Sequence, residues 1–107
     1  MNNMGLDVSL RLQRPTGEYV ELANGDFRGS AFDFVKDAIQ TRDACGKFIP
    51  VEGGLEQELI DKGMEKLAEY GFAGFDSEYG IMGFLKIVFL REFYAQFGYI
   101  LHVEADW

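Results

Sequence analysis

Leu6, Val8, Leu10 and Leu12 alternate with Asp7, Ser9, Arg11 and Gln13, a period of two that predicts a strand with one buried face. Pro15, Thr16 and Gly17 follow as a three-residue hairpin loop: proline is preset for a type I turn, and glycine takes the left-handed conformation that closes it. A loop of that length fixes the register of the return strand. It sets Arg14 opposite Glu18, Leu12 opposite Val20 and Leu10 opposite Leu22 on one face, with Gln13 opposite Tyr19 and Arg11 opposite Glu21 on the other. Asn24, Gly25 and Asp26 predict a turn after this hairpin.

The period then lengthens. Ser30 with Asp33 three positions on matches a capping box, and it predicts a helix through about Asp43 with Ala31, Phe32, Val35, Ala38 and Ile39 on one side. Gly46 is the expected C-terminal cap, and residues 48–54, with Pro50 and two glycines, read as a connector. A second helix is expected from Leu55 to Tyr70, where Leu59, Ile60, Met64 and Leu67 recur at helical spacing and Gly71 ends the run. On its other side Glu58, Asp61, Glu65 and Glu69 fall within roughly a quarter-turn, bordered by Lys62 and Lys66.

Phe72, Ala73, Gly74 and Phe75 form an aromatic, glycine-spaced loop, after which Asp76 or Ser77 can cap a third helix running to about Phe97, with Gly98 as its stop. Ile81, Phe84, Leu85, Val88, Phe89, Phe93 and Phe97 point in nearly every direction around that axis. Such a helix is a buried centre or one side of an interface. The stretch from Lys86 to Leu90 is also β-prone, which leaves a strand as the competing reading there. Residues 99–106 alternate again and predict a last strand. The expected organisation is one α+β domain over residues 1–107, in the order ββαααβ. A three-stranded antiparallel sheet, made of the N-terminal hairpin and the C-terminal strand, packs against about three helices.

Composition narrows the function classes. The chain has 107 residues, 48% of them apolar, including ten Phe and five Tyr, enough to bury a core without metal or disulfide staples. Eighteen Asp and Glu against ten Lys and Arg give a formal net charge of −8, which repels phosphate backbones and anionic lipids and favours a partner with a basic surface. Direct nucleic-acid and membrane binding are therefore disfavoured. Residues 81–101, the longest apolar tract, are interrupted by Lys86, Arg91, Glu92 and Gln96, so they read as core and not as a membrane span. Cys45 is the only cysteine and residues 1–5 lack the basic and apolar regions of a signal peptide, from which a reducing, cytoplasmic setting is expected.

Candidate chemistry is sparse. His102, the only histidine, shares a strand face with Glu104 and Asp106, but neighbours two apart on a strand lie about 6.5–7 Å from one another, so one ion cannot readily be held by all three. Without a carboxylate such as Glu21 joining them, the expectation is a solvated edge of the sheet and no metal. Cys45 lies near the expected C-terminal end of a helix, where the dipole opposes a thiolate, and reads as an inert thiol. The thirteen glycines include no phosphate-binding pattern, since Gly53 and Gly54 lead into Leu55 and Glu56. No cofactor and no catalytic group are expected.

The acidic stripe of Glu58, Asp61, Glu65 and Glu69 is the remaining feature. Carboxylates about 5–6 Å apart along a helix approximate phosphate spacing, so nucleic-acid mimicry stands beside the plainer reading of a solvated helix face. The opening Met4, Gly5, Leu6 and Asp7 before an alternating strand is faintly similar to the start of short phage and prophage proteins. That similarity implies an accessory protein that binds and disables a host factor.

The leading expectation is a small, non-enzymatic binding or inhibitory protein. It would present the acidic face together with exposed aromatics, Phe72, Phe75, Tyr79 and Trp107, to a basic protein surface. The alternatives are a small-ligand-binding protein with an aromatic pocket between the third helix and the sheet, and a structural homo-oligomer subunit using that helix as its interface.

Overall fold

A computed structural model describes residues 5–71 and 80–107, with residues 23–26 described in their backbone alone. The alternating N-terminal segment forms β1 (Asp7–Gln13) and returns as β2 (Tyr19–Arg28). The hairpin closes as its residues dictate. Arg14 N–H donates to the Glu18 carbonyl at 2.8 Å, Gly17 N–H donates to the Arg14 carbonyl at 2.8 Å, and Gly17 takes the left-handed φ of 98°. The pairs Leu12–Val20, Gln13–Tyr19 and Arg11–Glu21 form as expected. Beyond them the register slips: Ser9 opposes Asp26, so the step from Ser9 to Arg11 on β1 is matched by the longer one from Asp26 to Glu21 on β2. The expected Leu10–Leu22 pair is therefore absent from the ladder, and the Asn24–Gly25–Asp26 turn signal falls on an irregularity inside a continuing strand.

Among the described residues the helices are α1 (Asp33–Thr41), α2 (Gly53–Tyr70), α3 (Ile81–Phe89) and α4 (Arg91–Ala95). A 3₁₀ turn over Ser30–Phe32 precedes α1, and Ser30 makes no side-chain cap, so the capping box does not form. α1 ends before Gly46: Asp43 takes the left-handed conformation at φ 53°, and Arg42 Nη1 donates to the Ala38 carbonyl at 2.9 Å. α2 begins at Gly53, two residues before its expected start at Leu55, and Gly71 stops it where expected, at φ 58°. The third helix is interrupted. Leu90, at φ −85° and ψ 4°, leaves the helical range and divides α3 from α4, and the β-prone stretch is helical.

The C-terminal strand β4 (Ile100–Asp106) lies in the middle of the sheet. The strand order is β2-β1-β4-β3, all neighbours antiparallel, with β3 the two-residue strand Ile49–Pro50. This corrects the three-stranded expectation. The expected connector is fastened along β4, with Gly46 N–H donating to the Ala105 carbonyl at 2.9 Å and Val51 N–H to the Leu101 carbonyl at 2.8 Å. Pro50, which has no N–H to offer, sits where an edge strand tolerates it. The α+β class holds.

These helices pack from one side of the sheet. α1 lies on β4, α3 lies against β2, and α2 contacts both helices from outside. The sheet residues on that side are apolar and buried: Val8, Leu10 and Leu12 meet Ala105, Val103 and Leu101 across the β1–β4 ladder. Above them Phe84 touches Phe27, Phe32 and Phe34 with ring centroids 5.4, 5.7 and 5.7 Å away. These rings form the aromatic part of the core.

α2 buries Leu55, Leu59, Gly63 and Leu67, while Met64 is exposed and Ile60 only half buried. The buried row steps by four because Gly63 is the closest approach to α3. A Cβ there would lie 2.7 Å from Leu85 Cδ2 and 3.4 Å from Phe34 Cε2. Contact through a residue without a side chain turns its neighbour Met64 outward.

Candidate functional site: an acidic groove between two helices

Because α2 is the outermost helix, its polar side faces solvent. Asp61, Glu65 and Glu69 are exposed and Glu58 is half buried. α1 runs beside it and contributes two carboxylates of its own. Asp33, Asp37, Glu58, Glu65 and Glu69, with Lys62, Lys66 and Phe34, line an open groove of about 420 Å³. Neither Asp33, expected in a capping box, nor Asp37 belongs to the stripe expected from sequence. Their i, i+4 spacing opposite the buried Val35 and Ala38 is a visible signal, but only the packing of α1 on α2 brings them to the stripe.

The groove is partly neutralised. Arg42 Nη1 donates to Glu58 Oε1 at 3.0 Å and ties the end of α1 to α2. Lys62 and Lys66 each lie 3.8 Å from the carboxylate three residues on, Glu65 and Glu69. Such exposed pairs contribute a few tenths of a kcal/mol. Asp61 does not line the groove and accepts a hydrogen bond from Gln57 Nε2 at 2.8 Å. Among the described residues, five lining carboxylates therefore face two lining ammonium groups. Glu69 lies in the last turn of α2, where the helix dipole disfavours negative charge.

The other sequence candidates fall elsewhere. Phe72, Phe75 and Tyr79, and the Asp76 or Ser77 cap, lie outside the described residues. Trp107 is half buried against the core, with Lys36 Nζ 5.5 Å above its ring, and is not a free anchor. Among the described residues, exposed aromatics occur instead at Tyr19, Tyr70, Phe89, Phe93 and Phe97.

The sheet face opposite the helices carries His102, which is only 7% exposed. This overturns the solvated-edge expectation, because β4 is an interior strand and Tyr19, itself packed by Phe48, covers the ring. Tyr19 meets the His102 ring edge-on at 5.3 Å and Phe48 at 5.2 Å, and the Arg11 guanidinium lies 4.9 Å from the Phe48 ring. Burial raises the Glu104 carboxyl above its ordinary range; Arg11 opposes the shift and Asp106 adds to it. Among the described residues no group of His, Cys, Asp and Glu is arranged to hold a metal ion.

Cys45 is exposed with Sγ 3.9 Å from Asp106 Oδ1. Asp106 lies four residues along β4 from His102, about 13 Å at strand rise. A cysteine–histidine pair is therefore out of reach. Among the described residues no helix is long and apolar enough to cross a membrane. Comparison with protein-family models, curated proteins and solved structures finds no match for this chain.

Proposed function

We propose that this protein is a non-catalytic binding protein that captures a basic segment of another protein along the groove between α1 and α2. The supporting observation is the convergence of Asp33 and Asp37 from one helix with Glu58, Glu65 and Glu69 from the next on one open groove. These charges contribute little to the fold. The α2 carboxylates repel one another at i, i+4 spacing, and Glu69 opposes the helix dipole. A groove lined on both walls by acid suits lysine and arginine side chains.

Nucleic-acid mimicry is the weaker form of this reading. Lys62, Lys66 and Arg42 interleave with the acids and break the uniform spacing that a phosphate array has. An aromatic small-ligand pocket finds no room among Phe27, Phe32, Phe34 and Phe84, which are committed to contacts with one another; the place left for it is the open apolar cleft lined by Leu12, Phe93, Tyr94, Phe97 and Tyr99.

The test is titration of a fluorescent oligolysine peptide by anisotropy at several salt concentrations. Binding that weakens steeply with salt, and that falls at least about tenfold in Asp33→Lys/Asp37→Lys, supports the groove. The same double reversal at Asp7 and Glu18, which changes net charge equally, should matter much less. Equal losses from the two variants would reduce the effect to bulk charge and remove the groove from the account.

A further inference from the structure

We propose that the apolar ridge formed by the end of α3 and by α4 joins two copies of this chain in a two-fold dimer. Phe89, Leu90, Phe93 and Phe97 are 54%, 45%, 53% and 61% exposed. Phe89 ends α3, Phe93 lies on α4 and Phe97 follows it. The Phe93 and Phe97 rings touch at 5.3 Å, and with Leu12, Tyr94 and Tyr99 they wall an open apolar cleft of about 380 Å³. Knob and hollow therefore occur on the same surface, the condition a self-complementary interface requires.

Charge selects a second copy over the basic partner of the groove. From Gly80 to Tyr99 the charged residues are Lys86, Arg91 and Glu92. Arg91 is already held by Glu56, with Nε 2.7 Å from Oε2, and lies 3.9 Å from Glu92. On a molecule of net charge −8 this surface is close to neutral. A basic partner gains nothing electrostatic here, and two copies can meet without setting acid against acid.

The area agrees. A phenylalanine offers about 150–250 Å², so three half-exposed rings with Leu90 supply roughly 300–450 Å². That is the apolar centre of the ~800 Å² each partner contributes to a standard interface, leaving the remainder for a polar rim.

Light scattering on the full chain tests the proposal. The expected mass is twice 12.1 kDa, falling toward 12.1 kDa on dilution through the micromolar range. Phe93→Glu/Phe97→Glu should run as a 12.1 kDa monomer with an unchanged circular dichroism spectrum. If that variant does not fold, the milder Phe97→Ser should weaken association at least about tenfold. A wild-type monomer at about 200 µM, a dimer indifferent to Phe97→Ser, or open-ended assembly would each overturn the two-fold ridge.

Discussion

The groove between α1 and α2 and the ridge of α4 use exposed side chains in opposite ways. In the groove the apolar residues are turned inward and carboxylates from two helices crowd one surface, partly offset by Lys62, Lys66 and Arg42. Along the ridge the charges are few and Arg91 is already paired, while large apolar side chains stand in solvent. Both surfaces are costly by the ordinary rules of a folded surface, one through like-charge repulsion and the other through hydration of apolar area. The difference teaches that local cost can be carried in two forms, and under the two proposals above each surface would meet its own partner, a basic segment at the groove and a second copy at the ridge.

Phenylalanine substitutions separate framework from surface with the largest effect. Phe84→Ala empties the contact with three other rings and should lower unfolding free energy by about 3–5 kcal/mol in urea titrations. Phe97→Ala at sub-micromolar protein concentration, where association is absent, should change it by less than about 1 kcal/mol. Similar losses at the two positions would mean that the ridge belongs to the core.

Gly63→Ala probes the close approach that turns the acidic side of α2 outward. The added methyl meets Leu85, which is fully buried and has little room to yield. Overpacking of about 1–3 kcal/mol is offset by the roughly 1 kcal/mol helix preference of alanine. A net loss of about 1 kcal/mol by thermal unfolding is expected, and a gain would show that Leu85 moves freely.

Arg42→Met keeps the packed stem and removes the cation that neutralises Glu58. Stability should fall by no more than about 1 kcal/mol, and oligolysine should bind roughly threefold tighter at low salt. Weaker peptide binding would show that Arg42 shapes the groove more than it screens it.

Glu104→Gln, remote from both surfaces, should have the smallest effect. Its raised carboxyl binds a proton more tightly in the folded state than in the unfolded one. It therefore favours folding below the ordinary glutamate value of about 4.3, and that contribution is lost as pH rises through the folded value. The variant should show a flatter decline in melting temperature from about pH 4 upward than wild type. A steeper decline would reverse the assignment.

Much of this frame is legible in local sequence. The hairpin register follows from Pro15–Gly17 and the alternation around it, and α2 follows from its helical period and Gly71, because neighbours in the chain supply the controlling interactions. The acidic stripe on α2 is legible for the same reason. Its extension by Asp33 and Asp37 is not, since it exists only once α1 and α2 pack. β3 escapes because two residues, one a proline, carry no period, and they become a strand only by lying along β4. His102 reads as exposed because alternation assigns a sheet face and says nothing of what folds over it; Tyr19, packed by Phe48, decides that. The break at Leu90 has no glycine or proline to announce it.

The groove's role is tested most directly by following backbone amide shifts while unlabelled oligolysine is added to the isotopically labelled protein. Shifts concentrated on α1 and the Glu58–Glu69 side of α2, with the β1–β2 hairpin and α4 undisturbed, are the predicted result. Shifts of equal size at Asp7, Glu18 and Glu21 would contradict it, because the peptide would then be following net charge and not the groove.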